Sequence, residues 1–346
     1  MIAHWLRPGD DAKREMLAAA IAVLISIALG SVLMLIVGRS PGVVWLEIAR
    51  SAGDASHFGQ IIYKATGLVL AGLAVALALD AGLFNIGAEG QLTAGVLACA
   101  LTGAALPAAT PAFVAIPICL IASAGAGAGV GATIGVLRVY RGAHEVISSI
   151  MLNAIVAGLA LWIGNVVLFE GGTTRGGAIV AGAQLPRLGL GGSAANAAAV
   201  IALFAVLVMW WLRARTTWGL AWRAVGRDAA CALSVGISVA RIQVTAMIGS
   251  GALCGLTAAN FVMGHKHAFE EGLGRNTGLL GISVALLGRL HPIGVALAAL
   301  GLGFLSEGGL AASALVPKEL TEMLQGVVVL AVAAASAWVR RTETVR

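Results

Sequence analysis

Charged residues are scarce in this chain of 346 residues: Asp, Glu, Lys and Arg make up only 11% of it, while 59% of the residues are hydrophobic. A soluble domain is about one quarter charged, because its surface must face water. No stretch of this sequence carries enough charge to coat even one such domain. We therefore expect the outer surface to face lipid, which excludes a soluble catalytic domain.

Other common features are missing as well. The chain has only 4 cysteines, none with CxxC spacing, which excludes a disulfide framework and a zinc site. The phosphate-binding pattern GxxxxGK(S/T) is absent, so the chain is not itself a P-loop ATPase. No nucleophile and base, and no set of metal ligands, stand at a credible spacing. We therefore predict a protein that is not an enzyme and has no catalytic residue, metal or cofactor of its own.

Long apolar runs are what the sequence has in abundance. They predict an all-α, polytopic transmembrane helix bundle that forms a single domain over residues 1–346. About ten spans can be placed, at residues 17–37, 61–79, 90–106, 112–137, 146–168, 195–212, 243–263, 276–289, 292–312 and 319–339. The eighth span is shorter than the roughly 20 residues that a bilayer requires. The second and third spans are separated by an insert at residues 80–91 that does not look helical. The expected range is therefore eight to ten spans.

The basic residues predict the orientation of the chain. The net charge is +6, but Lys and Arg stand singly or in small groups between apolar runs, which is typical of membrane proteins and argues against a nucleic-acid partner. Both termini are basic, so we expect both in the cytoplasm, with an even number of crossings. A weak similarity between residues 73–90 and 283–308 suggests an internal duplication, as in many transporters.

Two polar segments stand out among the apolar runs. Residues 80–91 combine Asp80, Asn85, Glu89 and Gln91 with three glycines, and such a backbone is tolerated at membrane depth only where protein or a water-filled cavity covers it. A solvated cytoplasmic turn explains the same residues equally well. The other segment begins at residue 142, and Asn153 stands on a polar stripe with four-residue spacing that suits a cavity wall or a hydrogen-bonded helix contact.

The longest inner loop runs from residue 213 to residue 241, and its part at 219–241 predicts a short exposed helix. Asp228 is a good N-cap residue, Ala229 and Ala230 follow it, and Gly236 is a good residue to end the helix. A helix of about two turns is marginal alone, so it must dock on protein or lie on the membrane surface. Its small apolar face favours a groove on a partner protein.

Four blocks of sequence, taken together, resemble the membrane permeases of bacterial ABC importers in the ribose/branched-chain amino acid permease superfamily. The nearest branch is similar to the nucleoside and simple-sugar permeases. The blocks are FNIGAEGQ at 84–91, GAHEVISSIMLN at 142–153, RAVG at 223–226 with the following helix, and GISVALLG at 281–288 with HPIG at 291–294. His144 and Asp228 depart from the branch, which usually has Asn at both positions.

The resemblance implies a permease subunit that moves nucleosides or simple sugars into the cytoplasm by alternating access. It implies a cytoplasmic ATP-binding subunit that hydrolyses ATP, a second permease subunit in a heterodimer, an extracytoplasmic substrate-binding protein and a place in the bacterial inner membrane. The residues it assigns to the substrate pathway are Phe84, Asn85, Glu89, Gln91 and Asn153. Those it assigns to ATPase coupling are Arg223, Gly226, Asp228, Ala229, Ala230 and Gly236.

One other class of function fits the sequence. Asp80, Glu89, Glu145 and Glu307 stand in or beside apolar runs, and intramembrane carboxylates are typical of proton relays. A proton- or ion-coupled secondary transporter of a small polar solute would use them. Such a transporter requires only a gradient, whereas the ABC permease requires its ATPase.

Overall fold

The computed structural model describes residues 24–25, 27–169, 173–315, 317, 319, 322–327 and 330–331. These residues are largely helical, and within them only isolated β-bridges occur outside the helices and turns. The helices are α1 (Ile27–Ile36), α2 (Pro41–Ser51), α3 (Ala55–Asp80), α4 (Ala88–Ala105), α5 (Ala112–Arg141), α6 (Glu145–Ile163), α7 (Ala198–Arg215), α8 (Thr217–Arg227), α9 (Ala229–Ser234), α10 (Val239–Gly255), α11 (Thr277–Leu287) and α12 (Pro292–Ala311).

Six of the described helices are long and apolar enough to cross a bilayer. They are α3, α5, α7, α12, α6 with its π-helical extension to Leu168, and α10 with the following turns to Lys266. Each coincides with a predicted span, and α4 and α11 coincide with the third and the eighth. The polytopic all-helical protein is thus confirmed, whereas the count of ten stays a prediction. The first span lies partly, and the tenth largely, outside the described residues, as do both termini.

Two helices were not expected from the sequence. Both α2 and α8 have 11 residues, too few to cross a bilayer. On α8, Gly219, Trp222 and Val225 are buried along one face, while Leu220 is exposed. This helix therefore packs along the protein and overlaps the first part of segment 219–241, which the sequence predicts to be an inner loop.

Internal contacts divide the described residues into two compact units. One comprises the residues up to His57 and those from Phe304, with a small core of Met34, Val44, Ile48, Leu305, Ala312 and Leu324. The other is Phe58–Gly303 and contains the candidate site. The prediction of one domain over residues 1–346 stays a prediction.

In the larger unit, α3 is the most deeply buried span. Every residue from 65 to 78 is buried, as expected for a helix that is apolar on all sides. Gly72 lets α11 and α12 pack close to α3. A Cβ atom at this position would lie only 2.6 Å from a methyl carbon of Val284 on α11 and 2.9 Å from one of Val295 on α12, which is too close. The end of α3 is therefore held firmly, which matters because the candidate site begins there.

Glycines also join α5 to α10. Gly127 and Gly131, four residues apart, face Gly251, Gly255 and Met247, with backbone against backbone. This is the contact that small residues on one helix face predict for helices in lipid. Gly125 and Gly129, on the opposite side of α5, have open space around them. The glycine face therefore sets how closely the two helices approach.

Candidate functional site

The chain turns back on itself directly after α3. Gly82 has a φ of +75°, which favours glycine, and the N–H of Leu83 donates to the carbonyl of Ala78 at 3.0 Å. Leu83 and Asn85 are buried, so the irregular backbone that leads to α4 is covered by protein. Such cover is what permits a non-helical backbone at membrane depth.

Ser250 shows how far into the bundle this segment reaches. The Asn85 amide donates to its hydroxyl at 2.7 Å, and Ser250 itself donates to the carbonyl of Ala74 at 2.6 Å. Ser250 lies roughly 16 Å along α10 from its first residue, at 1.5 Å per residue. That is about half the ~30 Å thickness of a bilayer core. Asn85 and Gln91 are thus buried within the bundle and not in a solvated turn, whereas Gly82 at the start of the segment is exposed.

Asn85 and Gln91 are bonded to each other. Asn85 Nδ2 donates to Gln91 Oε1 at 2.9 Å, and Gln91 Nε2 donates back to Asn85 Oδ1 at 3.2 Å. Both side chains are 0% exposed. The pair fixes the path of the chain between residue 85 and the first turn of α4. That either amide belongs to the substrate pathway stays a prediction.

Glu89, in the first turn of α4, caps the start of α11. Its two carboxylate oxygens accept from the N–H of Asn276 at 2.7 Å and of Gly278 at 2.9 Å. A carboxylate is favourable there because the N–H groups at a helix start are unpaired and carry partial positive charge. Helices α4 and α11 therefore begin side by side, an arrangement typical of the substrate sites of transporters.

A cavity of about 480 Å³ opens beside these two helix starts. Its volume is in the range of sites for small molecules. It is lined by Glu89, Thr93, Val96, Asn153, Ala157, Gly158, Ala160, Leu161, Phe269, Glu270, Glu271, Gly272, Leu273, Arg275 and Asn276. The lining residues from 89–96 and 153–161 are mostly apolar, with Glu89, Thr93 and Asn153 as the polar exceptions. Those from 269–276 include charged side chains and backbone polar groups.

Asn153 belongs to the cavity wall and also holds the segment behind it. Its amide donates to the carbonyl of Ile86 at 3.0 Å, and its oxygen accepts from the N–H of Gly90 at 2.9 Å. Phe84 is half-buried, one residue before Asn85. Of the five predicted pathway residues, the structure places Glu89 and Asn153 on the cavity, and the other three are not among its lining residues.

Asp228 caps α9, as the sequence predicts. Its carboxylate accepts from the N–H groups of Ala230 at 2.9 Å and Cys231 at 3.0 Å. The helix ends before Gly236, whose φ of +84° allows the chain to turn away. Ala229 and Ala230 form the exposed first turn.

The two sides of α9 differ. Ala232 is buried against the rest of the chain, whereas Leu233 is 64% exposed and Val235 is 70% exposed. Arg223, on the preceding α8, donates to the carbonyl of Gly219 on its own helix. The short helix is thus seated on the protein by one side and presents a small apolar surface on the other.

The end of α8 contacts the end of α3. Gly226 packs directly against the backbone of residues 80–82, where a Cβ on Gly226 would clash with the carbonyl of Asp80 and one on Gly82 would lie 3.2 Å from the Gly226 Cα. Beside this contact, Arg213 Nε donates to Asp80 Oδ2 at 2.7 Å. Burial, together with the nearby charge of Arg213, lowers the pKa of His291, so this histidine is neutral at pH 7. Helix α8, which leads directly into α9, thus contacts the start of the segment that carries Asn85 and Glu89.

Several of these residues were not predicted from the sequence. Ser250, Asn276 and Arg213 bond to segment 80–91 from positions 165, 187 and 133 residues distant in the chain. Ser250 is one of several polar residues in the run 243–263, beside Gln243, Thr245, Thr257 and Asn260, so nothing local distinguishes it.

The acidic residues of a hypothetical proton relay all have partners. Asp80 is paired with Arg213, Glu89 with two backbone N–H groups, and Glu145 lies 3.1 Å from Arg138. In the smaller unit, Glu307 lies 2.8 Å from His57. Among the described residues, no group of three or more His, Cys, Asp or Glu side chains is arranged to hold a metal ion.

Comparison with known proteins gives consistent matches over nearly the whole chain. A family model described as branched-chain amino acid transport system / permease component matches residues 58–333. The guanosine ABC transporter permease protein NupP of Bacillus subtilis strain 168 is 34% identical over 93% of this chain and 94% of its own length. The nucleoside ABC transporter permease protein NupB of Lactococcus lactis subsp. cremoris is 29% identical over 86% of this chain and 85% of its own length.

A sugar permease is also similar. The glucose ABC transporter permease protein TsgB13 of Haloferax volcanii is 30% identical over 90% of this chain and 85% of its own length. No solved structure matches the chain.

Proposed function

Since the chain belongs to the branched-chain amino acid transport system permease family, we propose that it is the membrane-spanning subunit of an ATP-driven importer of nucleosides or simple sugars. The observation that carries this proposal is the whole-length similarity to NupP, a permease named for guanosine. Nucleosides are the favoured cargo, because NupB is named for them as well, and TsgB13 supports sugars as the second choice.

The cavity beside Glu89 and Asn153 suits such a cargo. Its volume of about 480 Å³ accommodates one small polar molecule. Asn153 and Thr93 supply polar groups, while Ala157 and Leu161 supply an apolar surface for a base or the face of a sugar ring. A separate binding protein would do most of the selection, so the permease requires only these few polar contacts.

The proposed mechanism is alternating access driven through α9. The exposed residues Leu233 and Val235 would dock in a groove on a cytoplasmic ATP-binding subunit. Closure of that subunit on ATP would shift α8 and α9. The contact of Gly226 with residues 80–82 would pass the shift to segment 80–91. Movement of Glu89 relative to the start of α11 would then open or close the cavity.

The complex we propose has four kinds of subunit. They are this permease, a second and different permease subunit, the ATP-binding subunit and an extracytoplasmic substrate-binding protein. The chain would lie in the bacterial inner membrane with both termini in the cytoplasm and about ten crossings. The six long apolar helices support the membrane location.

A proton- or ion-coupled transporter is the less favoured function. A relay requires carboxylates that gain and lose protons in contact with a water path. Asp80 and Glu145 are instead paired with arginines, and both oxygens of Glu89 accept backbone hydrogen bonds. These partners hold the carboxylates in structural roles.

Reconstitution distinguishes the two functions. The chain would be purified with the ATP-binding, second permease and binding-protein subunits encoded beside its gene, and placed in proteoliposomes. We expect uptake of labelled guanosine that requires ATP, with ribose or glucose taken up less. An ATP-binding subunit that cannot hydrolyse ATP is the control. Uptake by the chain alone, driven by a proton or sodium gradient, would overturn the proposal.

A further inference from the structure

A second cavity, with a very different lining, lies between α7 and α10. It also has a volume of about 480 Å³, but its walls are almost entirely apolar. Phe204 and Leu212 of α7 form one wall and Gly249 and Leu253 of α10 form the other, while Trp222 of α8 lies at one end. None of its lining residues belongs to the polar cavity beside Glu89. We call it the α7–α10 groove.

The length of the groove matches one leaflet of a bilayer. It runs from Ile201 to Leu212 on α7 and from Thr245 on α10 to Leu256, the residue directly after that helix. Each stretch is roughly 17 Å long at 1.5 Å per residue. The hydrocarbon core of a bilayer is ~30 Å thick, so one leaflet contributes about half of that.

Two arginines stand at one end of the groove. Arg215 continues the lining face of α7 one turn beyond Leu212, and Arg241 lies one turn before Thr245 on α10. Both are exposed. In the part of the chain that the structure describes, no ion pair joins either of them to an acidic side chain. This end of the bundle therefore offers two positive charges to an anion.

Trp222 supplies an independent sign of a missing ligand. Its side chain is 7% exposed, and its indole Nε1 is buried without a hydrogen-bond partner among the described residues. A buried donor without a partner is costly, so such groups nearly always have one. Trp218 lies against it, with ring centroids 6.4 Å apart, and also lines the groove. Tryptophans are common where lipid hydrocarbon meets headgroups.

We propose that the α7–α10 groove binds one anionic phospholipid of the leaflet that faces these arginines. An acyl chain fills the apolar groove, and the Trp222 N–H donates to an ester or phosphate oxygen. Arg215 and Arg241 contact the charged headgroup, as basic pockets between transmembrane helices do for anionic lipids. A transmembrane helix of another subunit fits less well, because its backbone acceptors are already used and it would extend beyond one leaflet.

Native mass spectrometry of the full chain tests the proposal. The protein would be released from detergent after incubation with phosphatidylglycerol or, in parallel, with zwitterionic phosphatidylcholine. We expect the wild type to retain one phosphatidylglycerol in preference to phosphatidylcholine. Trp222→Phe keeps an aromatic ring but removes the N–H, and should weaken retention about tenfold, the usual effect of losing a hydrogen bond to a charged group. Trp211→Phe, on the exposed surface of α7, is the matched control and should bind normally.

A second pair of variants tests the headgroup contact without touching a buried residue. Arg215→Gln with Arg241→Gln should abolish the preference for phosphatidylglycerol. Arg141→Gln with Arg175→Gln removes the same charge from exposed positions that do not line the groove and should leave the preference intact. Equal retention by wild type, Trp222→Phe and the Arg215/Arg241 variant would overturn the proposal. So would a wild type without preference for anionic lipid, which would indicate that protein covers the groove.

Discussion

Asn85, Gln91 and Ser250 form a compact hydrogen-bonded group in which an amide meets an amide and a hydroxyl. Buried polar groups at membrane depth are costly unless each finds a partner. Here the partners come from α4 and α10, so the bonds tie segment 80–91 to helix α10 and fix it at the start of α4. These residues therefore stabilise the fold of segment 80–91, and they affect the cavity through that fold.

Replacement of Ser250 by Ala should measure that role. The variant removes the acceptor of one Asn85 N–H and leaves this donor buried, which costs about 1–3 kcal/mol. We expect a lower thermal unfolding midpoint in detergent. Thr133→Ala is the control, since the Thr133 hydroxyl is exposed and bonds only within its own helix, to Gly129. Equal midpoints for the two variants would contradict the structural role.

Glu89 is the residue whose change should affect transport most directly. In Glu89→Gln the amide keeps one oxygen to accept from α11, but its NH₂ group faces the second backbone N–H. We expect guanosine uptake by the assembled complex to fall by about tenfold, which corresponds to a loss of about 1.4 kcal/mol. Glu271→Gln makes the same charge change on the same cavity without contact to the start of α11. Similar uptake by both variants would show that the contact with α11 is not required.

At this scale the sequence identified polar residues but not their partners. Asn85, Gln91 and Asn153 stand out because amides are rare in apolar runs. Which of them faces a cavity depends on residues such as Ser250, 165 positions further along the chain. No local pattern contains that information.

Among the helices, α9 and α5 follow local rules most closely. The Asp228 cap and the left-handed Gly236 at the ends of α9 were both predicted from residue type and spacing. The glycine face of α5 is likewise visible in the sequence, where Gly127, Gly131 and Gly135 recur every four residues. By contrast, α2 and α8 were missed, because each is short and amphipathic and its burial depends on the helices around it.

A pair of alanine substitutions on α5 should separate helix propensity from packing. At Gly131 an added methyl group would clash with the Met247 backbone, whereas Gly129 has open space. We expect Gly131→Ala to destabilise the protein by about 1–3 kcal/mol, the usual cost of overpacking. Gly129→Ala should be neutral or stabilising by up to about 1 kcal/mol, since Ala is the better helix former. Thermal unfolding of both variants checks this, and equal destabilisation would contradict the close contact of α5 with α10.

For the whole molecule, the chain is a multi-pass membrane permease whose energy, in our proposal, comes from another subunit. The number of crossings is the property that sequence could not fix. Because α4 and α11 start inside the bundle at Glu89, hydropathy cannot tell a helix that crosses the bilayer from one that covers part of it. The family, in contrast, was recognisable because its sequence blocks are local and occur in a fixed order.

The contact through α9 is the central claim for the molecule as a whole. Leu233→Ser combined with Val235→Ser removes its exposed apolar surface while the Asp228 cap and the buried Ala232 remain. Leu220→Ser, at an exposed position of the preceding α8, is the control.

The decisive measurement is ATP-dependent guanosine accumulation, together with ATP hydrolysis, by the assembled complex in proteoliposomes. We expect the Leu233/Val235 variant to lose at least about tenfold in accumulation, which corresponds to about 1.4 kcal/mol of docking energy, while Leu220→Ser stays near wild type. Accumulation and hydrolysis at wild-type levels in the Leu233/Val235 variant would contradict the account.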